Sequence, residues 1–361
     1  MLKFQEKFSR YDLPSEGRPN VGRYGESIQV LGDMTKNEAW LAISNGAGIT
    51  YTRIYLFKQD PSTGFDFSSP AQTFNPESDW DSIEEHVGEQ MRFDRSHGTK
   101  RLLVNSHSLT NEDGEIIVLL LDEDTGEWNH SQTLTPAHHG EDDNNFGEYL
   151  DADGGFVVVG WGEGYSRATG STVWWTIDEF RSNGSIYLYK WNSSSEEYEE
   201  SSHQLGPPIA EYGVKGRRHI TRPSTWSKSW QGDFGKGVAI DAKWNILVVR
   251  EESRLIYTEP SPSSDGYTQD MLWVFTFDDD FKLEFLDTIS PPFVGNISSG
   301  GPGIYGGAPF GSGRDQIKIK DGLLVVGCPS ARPPWMFDDT SNANTGRAFA
   351  YYITPPADQS L

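Results

Sequence analysis

Two sets of residues in this chain have the types that hydrolytic or metal chemistry requires. Carboxylates at the openings of short strands, Glu26, Asp94, Glu148 and Asp315, are of the kind that work in pairs on a glycosidic bond, one as acid and one as base or nucleophile. His138 and His139, with Glu141, Asp142 and Asp143 close behind, combine imidazole and carboxylate as a site for zinc or another divalent ion does. Neither set has a spacing that fixes a site. With 53 acidic residues some pair of carboxylates always falls close, and adjacent histidines on a loop do not face one point. The sequence has no Gly-x-Ser-x-Gly elbow, phosphate loop or metalloprotease helix. The expectation is no catalytic residue, no metal and no cofactor. Cys328 is the single cysteine, which excludes an intramolecular disulfide. It follows Val325-Val326-Gly327 and reads as core filler rather than as a nucleophile.

A third set suits recognition. Trp161, Tyr165, Trp174 and Trp175 crowd one long segment between strands, and Arg217, Arg218, His219, Arg222, Trp226 and Trp230 crowd the next; Arg254, Arg332 and Trp335 lie in later ones. Trp and Arg are the residues enriched at protein interfaces, and indole rings stack on sugar faces. The competing reading is that these rings pack the long loops onto the scaffold and the arginines pair local carboxylates.

The bulk composition narrows the partners. Thirty Lys and Arg against 53 Asp and Glu leave a formal charge of −23, which repels phosphate backbones and anionic lipid. Nucleic acid is therefore excluded as an expected partner. No apolar run reaches the roughly 20 residues that span a bilayer, so membrane insertion is not expected. The opening Met1-Leu2-Lys3-Phe4-Gln5-Glu6 has no signal-peptide pattern. Aromatics at 13%, with 38 Gly and 20 Pro, fit many short strands joined by tight turns.

The elements that must position these residues recur five times. A second strand reads Leu41-Ala42-Ile43, Leu102-Leu103-Val104, Phe156 to Val159, Ile246 to Val249 and Leu323 to Val326, continuous apolar runs suited to strands covered on both faces. A third reads Ile54 to Phe57, Ile116 to Leu119, Ile186 to Tyr189, Leu272 to Phe275 and Ala348 to Tyr351. Turns opening at Asp60, Asp122, Asn192 and Asp278 follow the first four. A fourth strand then carries Gln72-Thr73-Phe74, Gln132-Thr133-Leu134, His203-Gln204-Leu205 and Thr288-Ile289. The fifth unit lacks one, and Phe4 to Phe8 is expected to supply it by pairing with residues 348 to 353. The 1-to-2 and 3-to-4 connections are short, and every long insertion falls on the other rim, which makes that face the expected working surface.

First strands open with Tyr24-Gly25, Phe146-Gly147, Phe234-Gly235 and Phe310-Gly311, and two second strands end in Gly160 and Gly327. This resembles the FG-GAP repeat of integrin-α-type and bacterial propellers over nearly the whole chain. The second unit departs, with Phe93-Asp94, and the fourth has Val249-Arg250 where Gly would stand. The resemblance implies an all-β, five-bladed β-propeller of four-stranded antiparallel blades, one domain over 1–361. Its blades fall near 21–78, 88–138, 144–208, 232–293 and 308–361, the last completed by residues 1–14. It also implies calcium loops between first and second strands. Here Asp151-Ala152-Asp153-Gly154-Gly155 is too short for one and is expected to be a hairpin turn. The functional expectation is a non-enzymatic recognition, attachment or structural propeller. It would bind protein subunits or a surface glycan, as part of a larger assembly such as a virion or tail, outside the cell or on a virion surface. The alternatives are a glycoside-active enzyme with carboxylates at the channel mouth, and a secreted or surface adhesion protein.

Overall fold

A computed structural model describes residues 24–32, 39–45, 53–75, 87–106, 114–135, 146–161, 184–205, 233–257, 266–290, 316–328 and 347–354. The chain is all-β, a five-bladed β-propeller built of five antiparallel sheets, and no helix occurs among the described residues. The chain forms two compact units, residues 1–136 with 144–148 and residues 137–143 with 149–361.

The first unit holds two sheets. β1 (Tyr24–Leu31), β2 (Trp40–Asn45), β3 (Ile54–Lys58) and β4 (Gln72–Phe74) pair in chain order, as do β5 (Met91–Ser96), β6 (Thr99–Ser106), β7 (Glu115–Asp122) and β8 (Glu127–Leu134). Leu102, Leu103 and Val104 are all fully buried, because β6 is covered on both faces, the reason its sequence runs apolar without alternation. Trp40 and Trp128 meet edge to face in the same core. At the outer strands, the Gln72 side-chain amide donates to the Trp128 carbonyl and accepts from the Trp128 N–H, both at 2.8 Å, so one side chain pairs with the neighbouring sheet as a strand would.

In the second unit β9 (Tyr149–Asp153), β10 (Phe156–Trp161), β11 (Ser185–Asn192) and β12 (Glu197–Leu205) form one sheet. β13 (Asp233–Asp241), β14 (Ile246–Tyr257), β15 (Gly266–Phe277) and β16 (Leu283–Ile289) form the next. β17 (Ile317–Lys320), β18 (Leu323–Cys328) and β19 (Arg347–Tyr352) form a three-stranded sheet among the described residues. Residues 4–8, expected to complete that last sheet, lie outside the described residues.

The turns follow the sequence chemistry. His97-Gly98, Gly154-Gly155 and Asp321-Gly322 each have two positive φ values, the two-residue turn whose twist matches the flanking strands. At the 3-to-4 turns Asp60, Asp122, Asn192 and Asp278 accept backbone N–H groups two residues ahead, a side-chain mimic of a backbone turn. Hydrogen bonds from the Ser62 hydroxyl and from the Ser62 and Thr63 N–H groups hold the Asp60 carboxyl down to about 2. Its folded pKa is lowered, so the stability it contributes is present above the ordinary value of 3.8 and is lost as pH falls toward about 2. We therefore expect the difference in melting temperature between wild type and Asp60→Ala to shrink steadily across that interval, measured by thermal unfolding.

One expectation from the repeat is corrected. Phe93-Asp94 is not the second unit's counterpart of Phe-Gly. Val87-Gly88 is: Val87, Phe146 and Phe234 are all fully buried, and Gly88, Gly147 and Gly235 have φ of +76°, +90° and +97°. Phe93-Asp94 lies further along β5, at its turn end.

Candidate functional site

Asp94 belongs to the scaffold. Its carboxylate and the Arg101 guanidinium are both fully buried, with Nε and Nη2 of Arg101 donating to Asp94 Oδ2 at 3.0 and 2.7 Å. The Arg101 guanidinium also donates to the Ser96 hydroxyl. Register puts Asp94 directly opposite Arg101 on the β5–β6 pair. Asp153 and Asp241 stand at the same place in their sheets, three residues beyond the partner of the valine that ends each second strand's apolar run, and they too are structural. Asp153 Oδ2 accepts the Ala242 N–H at 2.9 Å, and Asp241 Oδ2 accepts the Gly322 N–H at 2.9 Å. Asp151 Oδ2 accepts the Ile240 N–H at 3.0 Å. Each carboxylate ties its sheet to the next one's backbone.

Lysines of β17 reach the same carboxylates, Lys318 to Asp151 at 3.5 Å and Lys320 to Asp153 at 3.0 Å. Burial alone would lower the Lys320 pKa, but Asp153, Asp241 and Asp321 together outweigh it and hold the ammonium above its usual value. The Asp151–Gly155 segment is thus a hairpin and a stitch. No group of three or more His, Cys, Asp or Glu among the described residues is set to hold a metal ion.

A different cluster lies at the opposite end of the fourth sheet, where β13 begins and the β14–β15 pair leaves it. Arg250 stands in register with Gly160 and Gly327, one residue past the apolar run of its strand. Its side chain is 1% exposed, and a buried guanidinium requires counter-charge. Arg250 Nη2 donates to Asp270 Oδ2 at 2.9 Å and lies 3.6 Å from Glu252 Oε1, while Nη1 donates to the Lys236 carbonyl at 3.0 Å. Lys236 Nζ is 3.4 Å from Glu252 Oε2. Two cations and two carboxylates thus meet among the described residues. Gly237 makes room for it: a Cβ there would come within 3.2 Å of Arg250 Cβ and 3.1 Å of Ile317. Glu251, one residue along the strand, turns to the other face and accepts the Trp273 indole N–H at 2.8 Å inside the core.

The two Arg250 contacts bound the separation of the Asp270 and Glu252 oxygens at 6.5 Å, the sum of their distances to one nitrogen. Glu252 is one-third exposed and Asp270 one-tenth, so the group meets solvent on the Glu252 side. A β-bulge sits at this point, between Glu251 and Arg254 opposite Asp270. Bulges re-aim side chains and concentrate next to active sites.

Of the expected recognition residues, Trp161 and Arg254 lie in described strands. Trp161 ends β10 opposite Ser185 and Arg254 lies in β14 opposite Gln269. Tyr165, Trp174, Trp175, Arg217, Arg218, His219, Arg222, Trp226, Trp230, Arg332 and Trp335 lie outside the described residues, as do Asp315 and the His138-His139 segment. Glu26 lies in β1, and Glu148 is half-buried just before β9. Sequence reasoning passed over Lys236, Arg250, Glu252 and Asp270. The available signal was the departure at Val249-Arg250, a charge where the pattern has glycine.

No family model matches the chain, and no curated protein matches it. Solved structures of similar fold include one described by the GH130 family of mannoside phosphorylases, containing glycoside hydrolases that target β-1,2 mannosidic linkages in Candida mannan. It shows 11% identity over 85% of this chain and 81% of that one, with a TM-score of 0.37. A GH43 endo-arabinanase from Bacillus licheniformis shows 13% identity over 90% and 92%, TM-score 0.35. A native arabinanase from Bacillus subtilis shows 11% over 85% and 91%, TM-score 0.34. The expectation of a non-enzymatic recognition or attachment propeller is corrected by this comparison. Those three are described as glycoside-active, in line with the enzymatic alternative, while others of similar fold are described as a candidate 6-phosphogluconolactonase and the tricorn protease.

Proposed function

We propose that this chain is a glycoside-active propeller enzyme whose reacting carboxylates are Glu252 and Asp270. The observation that carries the reading is that one buried guanidinium holds both within 6.5 Å of each other at an accessible strand end. Glu252, beside Arg250 and Lys236 and the more exposed of the two carboxylates, is placed to activate a water or attack the anomeric carbon. Asp270 places a second negative charge on the same patch, favouring the oxocarbenium-like cation that forms as the bond breaks. The proton for the leaving oxygen comes from a group outside this clamp.

The finer assignment of the repeat, FG-GAP, is supported by the positive-φ glycines after Val87, Phe146 and Phe234 and by the sheet each packs against. A Cβ on Gly88 would meet Ser44, and one on Gly147 would meet Ile116, at 3.0 Å.

The test of the site is substitution. On a glycoside that the wild type turns over, Glu252→Gln and Asp270→Asn are each expected to lower kcat by about 10²–10⁴-fold, and Asp270→Asn also lowers the melting temperature because it removes the nearest counter-charge of the buried Arg250. Turnover surviving in Glu252→Gln but lost in Glu148→Gln would place the centre at the start of β9 instead.

A further inference from the structure

We infer that Glu251 and Trp273 form a positioning pair that pins β14 in register with β15 and so aims Glu252 and Asp270; this rests on the reading of that cluster as a glycoside-active centre. Glu251 continues the face of Leu247 and Val249, which pack in the core with Phe234, Trp273 and Phe275. Its partners across the two ladders are Phe234 on β13 and Met271 on β15. Both are buried, and Glu251 itself is 3% exposed. A carboxylate in such surroundings is costly unless it is hydrogen-bonded. The Trp273 indole, which has one donor and no acceptor, donates to it at 2.8 Å. Trp273 stands opposite Val249, two residues along from Met271, so the bond runs diagonally across the β14–β15 pair.

The place of this bond gives it a role beyond the core. Side chains alternate along a strand, so Arg250 and Glu252, the two neighbours of Glu251, share the opposite face. Asp270, next to Met271, meets Arg250 on that face at 2.9 Å. The β-bulge begins at Glu251, and the ladder is disrupted there. A one-residue slip of the pairing would exchange the two faces of β14, carrying Glu251 out of the core and driving Arg250 and Glu252 into it. A polar pair buried in the core is satisfied in one register and not in the slipped one, and so specifies that register.

The experiment compares Glu251→Gln, which keeps an oxygen to accept the indole N–H, with Glu251→Leu, which does not. Two readouts are taken on each full chain: amide hydrogen exchange at residues 250–252 and 270–272, and kcat and KM for release of reducing ends from linear arabinan and β-1,2-mannan. Glu251→Leu is expected to exchange those amides at least about tenfold faster, with the β10 amides unchanged, and to lose at least about tenfold in kcat with KM within about twofold of wild type. Glu251→Gln is expected to stay within about twofold of wild type in every readout. Wild-type exchange in Glu251→Leu, acceleration that extends equally to β10, faster local exchange with kcat unchanged, or kcat lost equally in Glu251→Gln each overturns the positioning pair. Faster local exchange in Glu251→Leu alone, with no turnover by the wild type, defeats the proposed activity and leaves the register pin standing. Should Glu251→Leu fail to fold, Trp273→Phe, which removes the donor and keeps a ring, is read by the same assays against the same outcomes; failure of both to fold makes the bond part of the fold and overturns the proposal.

Discussion

Arg101→Ala is expected to destabilise the first unit by about 3–5 kcal/mol, because it removes the cation that the fully buried Asp94 carboxylate faces. Both side chains are fully shielded from solvent, so water cannot replace the guanidinium. The penalty comes from the orphaned charge rather than from the lost attraction, which makes the double replacement informative. Asp94→Asn with Arg101→Met removes both charges at once and is expected to recover most of the loss, since apolar replacement of a buried pair is often neutral or better. Denaturant midpoints of the two variants measure this. Equal losses in the single and double variants would show that the pair is held by something other than mutual neutralisation.

Gly184→Ala is expected to be comparably severe, more than about 4 kcal/mol or failure to fold. Gly184 has φ +140°, and a Cβ there would sit 1.9 Å from the Phe234 carbonyl oxygen. That contact joins the start of β11 to the residue pair that opens the next sheet, and backbone cannot move aside as a side-chain tip can. Gly114 meets the Phe146 carbonyl oxygen at the same 1.9 Å, so the close approach belongs to the repeat. The control is Gly98→Ala in the β5–β6 turn, where φ is also positive but nothing lies within 4 Å. Its cost is expected to be only the backbone penalty of about 1–2 kcal/mol. Thermal unfolding of the two variants separates strain from collision; similar losses would refute the packing account.

The scaffold was legible because its signals are local. Second strands such as Leu102-Leu103-Val104 and fourth strands such as Gln72-Thr73-Phe74 fall within observed strands, and Asx residues open the observed 3-to-4 turns. Val87-Gly88 escaped because valine replaces the aromatic, although the positive φ that requires glycine is retained. The second unit's Asp94 looked like a reactive carboxylate only until its cross-strand neighbour was known. The candidate site was harder still. Lys236, Arg250, Glu252 and Asp270 come from three strands and meet through a bulge, and no periodicity in sequence announces a bulge. What the pattern did contain was the missing glycine at Arg250, which marks a buried charge and hence the carboxylates it must gather.

The measurement that bears most directly on the whole account is release of new reducing ends by the purified wild-type chain from a broad set of arabinans, mannans and other neutral polysaccharides. The account predicts turnover on at least one, abolished in Glu252→Gln. No turnover on any of them, or turnover unchanged when Glu252 and Asp270 are both neutralised, contradicts it.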